Sequence, residues 1–199
     1  MRRLIVGITG ATGAILGIRM LEALQAAGDI ETHLVLSKWA MQTIEHETSY
    51  TLREVRDLAH ASYEPGNMAA AISSGSFKTE GMVIIPCSMR SLGGIAHGNG
   101  DHLVHRAADV VLKERRRLVL VAREMPLSEI HLENMLKLAR MGVTIMPPMP
   151  AFYHHPQGID DLVNHVVARV LDQFDIPADF ARRWNGEMRA NVAHLEPKR

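Results

Sequence analysis

Residues 4–14, Leu-Ile-Val-Gly-Ile-Thr-Gly-Ala-Thr-Gly-Ala, carry an apolar strand straight into a turn with three glycines, and Ala14 to Ala27 then reads as a helix. A strand, a tight glycine turn and a helix together aim backbone N–H groups at an anion. The first donors of a helix have no intrahelical partner, and its dipole is positive at that end. The spacing Gly7-x-x-Gly10-x-x-Gly13 differs from the dinucleotide fingerprint G-x-G-x-x-G. Taken alone, the turn fits a nicotinamide, a flavin or a sugar phosphate. It also fits a strand–helix junction that uses glycine only for close packing.

At 199 residues the chain is expected to form one domain, residues 1–199, with a C-terminal arm from about 176 to 199. Apolar residues make up 47% and aromatics 5%, an ordinary globular profile with 12 Met among the interior formers. Twenty-two basic residues balance 22 acidic ones, so no field for nucleic acid is expected. No run of 18 apolar residues marks a membrane span, and no signal segment precedes the first strand. The lone cysteine, Cys87, excludes an internal disulfide and any Cys-x-x-Cys motif. These features together fit a cytoplasmic protein.

Along the chain, strands are expected at Leu4–Ile8, Thr32–Leu36, Gly81–Pro86, Leu118–Ala122 and Val143–Met146. Their near-continuous apolar character matches a parallel sheet covered on both faces. Helices are expected at Ala14–Ala27, Trp39–Glu47, Leu92–His97, Leu103–Arg116, Glu129–Met141 and Asp160–Phe174. Asp101 and Ser128 occupy expected N-cap positions, and Gly142 a C-terminal glycine position. The alternation of β and α implies an α/β fold: a three-layer, Rossmann-like (flavodoxin-like) parallel sheet with helices on both faces. Residues 62–80 read as a long irregular connection and residues 147–158, rich in proline, as a stiff loop at the carboxyl edge of the sheet. The arm with Trp184 is expected to dock on a neighbour.

Several residues point to chemistry. The second strand ends in Ser37-Lys38, not in the acid that binds the ribose of a dinucleotide, which favours a mononucleotide. Pro86-Cys-Ser-Met-Arg-Ser91 forms a second strand-to-helix turn with hydroxyls at its mouth, where Cys87 reads as a buried small residue. Arg106 and Lys113 lie seven apart on one helix with Asp109 between them. They form either a surface ion-pair ladder or two cations facing a phosphate. Arg115-Arg116-Arg117 reads as a solvated helix end or a subunit contact. Arg123-Glu124 at the end of a central strand is a costly place for charge unless a ligand uses it. Arginine suits phosphate, and the carboxylate suits proton transfer. The 11 histidines show no metal-ligand spacing, so no metal site is expected.

Taken in order, Thr9-Gly-Ala-Thr-Gly-Ala14, Ser37-Lys38, Pro86-Cys-Ser-Met89, Arg106-Ala-Ala-Asp109, Leu112-Lys-Glu-Arg-Arg116, Leu118-Val-Leu-Val-Ala-Arg-Glu-Met-Pro126, Ile130-His-Leu-Glu-Asn-Met135 and Pro150-Ala-Phe-Tyr-His154 resemble the UbiX/Pad family of flavin prenyltransferases. The resemblance spans nearly the whole chain and is strongest to the branch that accompanies phenolic acid decarboxylases. It implies transfer of a dimethylallyl group from dimethylallyl monophosphate to N5 and then C6 of reduced FMN, without a metal. It also implies delivery of the prenylated FMN to a UbiD-type decarboxylase and assembly as a dodecamer with sites between subunits. By the same resemblance, Gly10, Ala11, Thr12 and Ser37 would hold the FMN phosphate and ribityl chain, and Ser88, Met89, Arg90, Ser91 and Arg123 the rest of the flavin. Arg106, Lys113, Arg123, Tyr153 and Arg169 would meet the prenyl phosphate, partly from neighbouring subunits. Glu124 would be the acid–base group and Glu47 an acidic partner across the interface. Thr12 replaces the serine of many relatives; it keeps the hydroxyl and adds a methyl group.

Three other readings carry specific expectations. A flavin-dependent cysteine decarboxylase would need a Pro-Ala-Ser-Ala-Asn-Thr motif where Pro86-Cys-Ser-Met-Arg-Ser91 stands. An FMN carrier or assembly subunit would not need Lys113, Arg123 and Glu124 together. A nicotinamide reductase would need the missing ribose acid and a Tyr-x-x-x-Lys pair.

Overall fold

The computed structural model describes residues 1–184 and 186. Six strands form one sheet: β1 (Arg2–Ile8), β2 (Ile30–Leu36), β3 (Ala61–Tyr63), β4 (Gly81–Cys87), β5 (Arg117–Ala122) and β6 (Thr144–Ile145). The order is β3-β2-β1-β4-β5-β6, and every pairing is parallel. The winding reverses between β1 and β4, where an open α/β sheet leaves a crevice at its carboxyl edge. This is the three-layer, Rossmann-like architecture that the alternation predicts.

Among the described residues seven α-helices cover the sheet: α1 (Ala14–Ala27), α2 (Lys38–Glu47), α3 (Leu52–Asp57), α4 (Met89–Ala96), α5 (Leu103–Lys113), α6 (Glu129–Arg140) and α7 (Ile159–Asp172). Alternate strand residues feed two cores. Leu4, Val6, Ile8, Val83 and Ile85 pack with α1, α2, α3 and α7. Ile5, Met82, Ile84, Leu118 and Leu120 pack with α4, α5 and Leu138 of α6. Both faces are buried, which is why the strands read as unbroken apolar runs. Among the described residues no helix is long and apolar enough to cross a membrane.

The structure corrects several expectations. Residues 62–80 are not wholly irregular: β3 runs to Tyr63 and a 3-10 turn spans Ala71–Ser73. A strand of three residues leaves too short a pattern to read. Helix α3 was also missed; its start is a capping box between Thr51 and Glu54. Asp101 does not cap α5, whose N-cap is His102 with no side-chain cap bond. Helix α4 begins at Met89, three residues before the expected start at Leu92, because Ser88 caps it. Helix α5 stops at Lys113, and Arg115 takes φ 56° to turn the chain into β5. Arg116 is no solvated helix end, since its guanidinium donates to Phe77 O (2.8 Å) and Gly75 O (2.7 Å) and pins that loop. Ser128 caps α6 as expected, and Gly142 follows α6 with φ 91°. The arm begins with Ile176 and Ala178 packed into the α1–α7 core; residues 185 and 187–199 lie outside the described residues.

Helix α1 sits unusually close to the sheet at Gly17. A Cβ there would stand 2.5 Å from Ile85 O and 2.6 Å from Ile8 Cδ1. Helix propensity alone favours alanine by about 1 kcal/mol, while overpacking against backbone costs about 1–3 kcal/mol. Gly17→Ala is therefore expected to lose up to about 2 kcal/mol in urea unfolding; a gain in stability would contradict this packing.

Candidate active site

Four strand ends are tied side by side. Ser37 N donates to Ile8 O (3.0 Å), Thr9 N to Pro86 O (3.2 Å) and Arg123 N to Cys87 O (3.0 Å). The Thr9 hydroxyl donates to Pro86 O at 2.8 Å and accepts from Ser88 N at 2.8 Å. Thr9 is 1% exposed, so these bonds form away from water, where an unmade one is expensive. Pro86 has no N–H to offer, and the β4–β5 register shifts between Ile84 and Cys87. The outcome is one edge carrying the glycine turn, Ser37, the 88–91 turn and Arg123.

Each turn has a local cause. A Cβ on Gly10 would lie 2.4 Å from the Cβ of Trp39, so α2 backs directly onto the turn. Gly13 takes φ 99° to start α1, which suits a residue without Cβ. Ser37 Oγ accepts from Ala40 N (3.1 Å) and Ser88 Oγ from Ser91 N (3.3 Å), so each hydroxyl caps a helix, while the Ser88 hydroxyl also donates to Ser91 Oγ at 3.3 Å. Ala11, Ser88, Met89 and Arg123 are half-buried and Gly10, Thr12 and Arg90 exposed, while Ser91 is buried. Glu124 is exposed, and its Oε1 accepts from Met125 N at 3.1 Å.

Glu47 closes the glycine turn. Its Oε2 accepts from Gly13 N (2.8 Å) and Ala14 N (3.0 Å), the free donors at the start of α1. These bonds lie within one chain. Burial raises the carboxyl pKa, but hydrogen bonds from the Thr12 side chain, Ala14 and Gly13 outweigh it, and the group lies below its ordinary value.

The remaining candidates fall into three sets. Thr12, Gly13 and Arg123 line a cavity of about 300 Å³, walled by Ile15, Leu16, Val163 and Val166 and by Pro148 and Pro150 of the stiff loop. Tyr153 and Arg169 line a second cavity of about 380 Å³ with His165, Arg183 and Trp184. Trp184 meets the Tyr153 ring edge to face at 5.7 Å. Arg106 and Lys113 stand on α5, on the opposite face of the sheet from α1 and α7. Arg106 donates to Asp109 (2.7 Å) and Ser73 O (3.2 Å), and Lys113 pairs with Glu114. Neither lines the cavity of Thr12 and Arg123.

A flavoprotein family model matches residues 1–171. The flavin prenyltransferase UbiX of Escherichia coli (strain K12) is 57% identical over 188 residues, 94% of this chain and 100% of that protein. A dodecameric FMN-dependent UbiX-like decarboxylase from Escherichia coli O157:H7 superposes with TM-score 0.92 at 64% identity, covering 92% of this chain and 100% of that one. AnUbiX (PadA1), solved with FMN and dimethylallyl pyrophosphate, gives TM-score 0.92 at 54% identity, over 94% and 99%. The chain belongs to the UbiX-like flavin prenyltransferases within the flavoprotein family.

As a UbiX-like protein, the chain keeps Cys87 as an interior residue. Burial pushes its thiol up to about 12, which removes it as a nucleophile at neutral pH. Two residues escaped the sequence reading. Thr9 was noted only as part of a motif, although a threonine between a strand and a glycine turn is well placed to bond the next strand. His165 gave no signal, since its contact to Tyr153 depends on how the proline-rich loop folds back on α7.

The Glu47 cap predicts a pH signature. Its folded pKa is lowered, so its stabilisation is present above the unfolded value near 4.5 and is lost as pH falls through the folded value. Glu47→Gln is expected to cost about 0.5–1 kcal/mol at pH 7, allowing for exposure, and little at the acid end of the range. Urea unfolding across pH checks it; a pH-independent difference would contradict the cap.

Proposed function

We propose that this chain transfers the dimethylallyl group of dimethylallyl monophosphate to N5 and C6 of reduced FMN, producing prenylated FMN for a UbiD-type decarboxylase. One observation carries the reading: the bonds of Thr9, Ser37 and Arg123 gather two phosphate-type turns and an arginine on one sheet edge, beside an apolar cavity. The residues fit FMN. Serine-capped turns, a glycine too crowded to carry a Cβ and the lack of a ribose-binding acid suit a mononucleotide. Gly10, Ala11, Thr12, Ser37, Ser88, Met89, Arg90, Ser91 and Arg123 would hold it. When bound, reduced FMN supplies the nucleophilic N5 and C6.

The chain's own groups act on the prenyl phosphate. Its C–O bond breaks with the electron pair left on phosphate, so fixed positive charge lowers the barrier without reorganisation. Arg123 supplies a donor at the Thr12 cavity, Tyr153 and Arg169 supply theirs from the second cavity, and Arg106 and Lys113 supply theirs to a neighbouring subunit, since they stand on the opposite face of the sheet. Ile15, Leu16 and Val166 keep water from the prenyl chain. Glu124 moves the proton, either to the departing phosphate or from the reacting ring. Thr12 and Glu47 set the hydroxyl at the mouth of the glycine turn.

The chain assembles as a dodecamer, as its O157:H7 relative does. Exposed Met125, Ile130, Phe152 and Ile159 give it apolar surface to bury. A cytoplasmic setting agrees with a single buried cysteine and no disulfide. The cysteine decarboxylase reading lacks its motif at residues 86–91, and a carrier leaves Glu124 and Lys113 without a task.

Anaerobic incubation with reduced FMN and dimethylallyl monophosphate should yield flavin heavier by one prenyl unit in mass spectrometry. Bound FMN with unchanged mass would favour the carrier. Glu124→Gln should slow transfer by about 100-fold or more while FMN affinity holds; equal turnover would remove Glu124 from the reaction.

A further inference from the structure

His165 has no part in the steps above, yet it stands between two residues assigned to the prenyl phosphate. It is 9% exposed. Its Nε2 lies 3.5 Å from the Tyr153 hydroxyl, and the two rings meet edge to face at 5.6 Å. His154 stacks on it at 4.8 Å with planes 14° apart. His165 precedes Arg169 by four residues, so both project from one face of α7, and Tyr153, His165 and Arg169 line the same cavity. Asp172 holds Arg169 at 2.7 Å and also takes both terminal nitrogens of Arg183, which fixes the far wall.

We propose that His165 is a positioning residue for prenyl-phosphate recognition, its Nε2–H backing the Tyr153 oxygen so that the phenol proton points at the phosphate. The inference rests on the assignment of Tyr153 and Arg169 to that phosphate. A fully ionised phosphate offers only acceptors, so a phenol beside it must donate. The phenol oxygen then accepts from behind, and a neutral imidazole with its proton on Nε2 is such a donor. Two hydrogen bonds in series polarise one another, which strengthens the outer one. The imidazole stays neutral because burial disfavours its charged form, and His154, Arg169 and Arg183 disfavour it further against the pull of Asp172. A second cation there would also compete with Arg169 for the ligand. At 3.5 Å the bond is long, as hydrogen bonds in ligand-free sites often are before the ligand draws them together. His154 supplies a flat partner that holds the imidazole plane; its own ring nitrogens are buried without hydrogen-bond partners, so stacking is what it contributes.

The test is steady-state prenyl transfer by the intact protein at saturating reduced FMN, with dimethylallyl monophosphate varied and FMN affinity measured separately by flavin fluorescence. His165→Phe keeps a ring and loses the donor. It should raise KM for the prenyl phosphate about 3- to 10-fold with FMN affinity unchanged. His165→Gln restores an N–H and should recover most of the loss. In a Tyr153→Phe background the His165→Phe change should add nothing, because the oxygen it backs is gone. A His165→Phe protein with the original KM, an equal penalty in both backgrounds, or a matching loss of FMN affinity would each overturn the inference. If Tyr153→Phe alone leaves KM unchanged, the assignment of Tyr153 to phosphate fails first and takes the inference with it.

Discussion

The site depends on the hydroxyl of Thr9. It is buried at the end of β1, donates to Pro86 O and accepts from Ser88 N. With these two bonds it fastens the first glycine turn to the second ligand turn across the point where the sheet reverses its winding. Parallel strands offer a crevice there in any doubly wound fold. What this chain adds is a side-chain bond that fixes the two lips of the crevice, while backbone bonds from Ser37 and Arg123 extend the same edge outward. Glu47 then ties the C-terminal end of α2 to the start of α1. Binding groups placed on such a rigid edge lose little freedom when a ligand arrives.

Two-faced coverage of the sheet separates the cations of α5 from the glycine turn of the same chain. Helices α1 and α7 lie on one face and α5 on the other, so Arg106 and Lys113 cannot join Thr12 in the cavity of their own chain. Their charges are answered locally by Asp109 and Glu114, exposed pairs that contribute little to stability and can be exchanged for a ligand. Apolar residues stay exposed on α6 and the proline-rich loop, among them Ile130, Leu136 and Phe152.

Much of this was legible in the sequence because it follows from short, local rules. The apolar runs of β1, β4 and β5, the helical spacing of α1 and the serine cap of α6 appear where the pattern puts them. What was hidden is what depends on partners far along the chain. Ser88 starts α4 at Met89 rather than Leu92, α5 begins after His102 without a side-chain cap, and Arg116 turns inward to hold residues 75–77. At the site, the residue types at the strand ends could be read, but the hydroxyl of Thr9 and the contact of His165 with Tyr153 arise only once distant segments meet.

Backbone amide exchange with and without FMN measures directly whether FMN binds at the edge joined by Thr9. Protection should rise at the 10–13 and 88–91 turns and leave the amides of α7 near His165 unchanged. Protection centred on α7, with both turns unaffected, would contradict it.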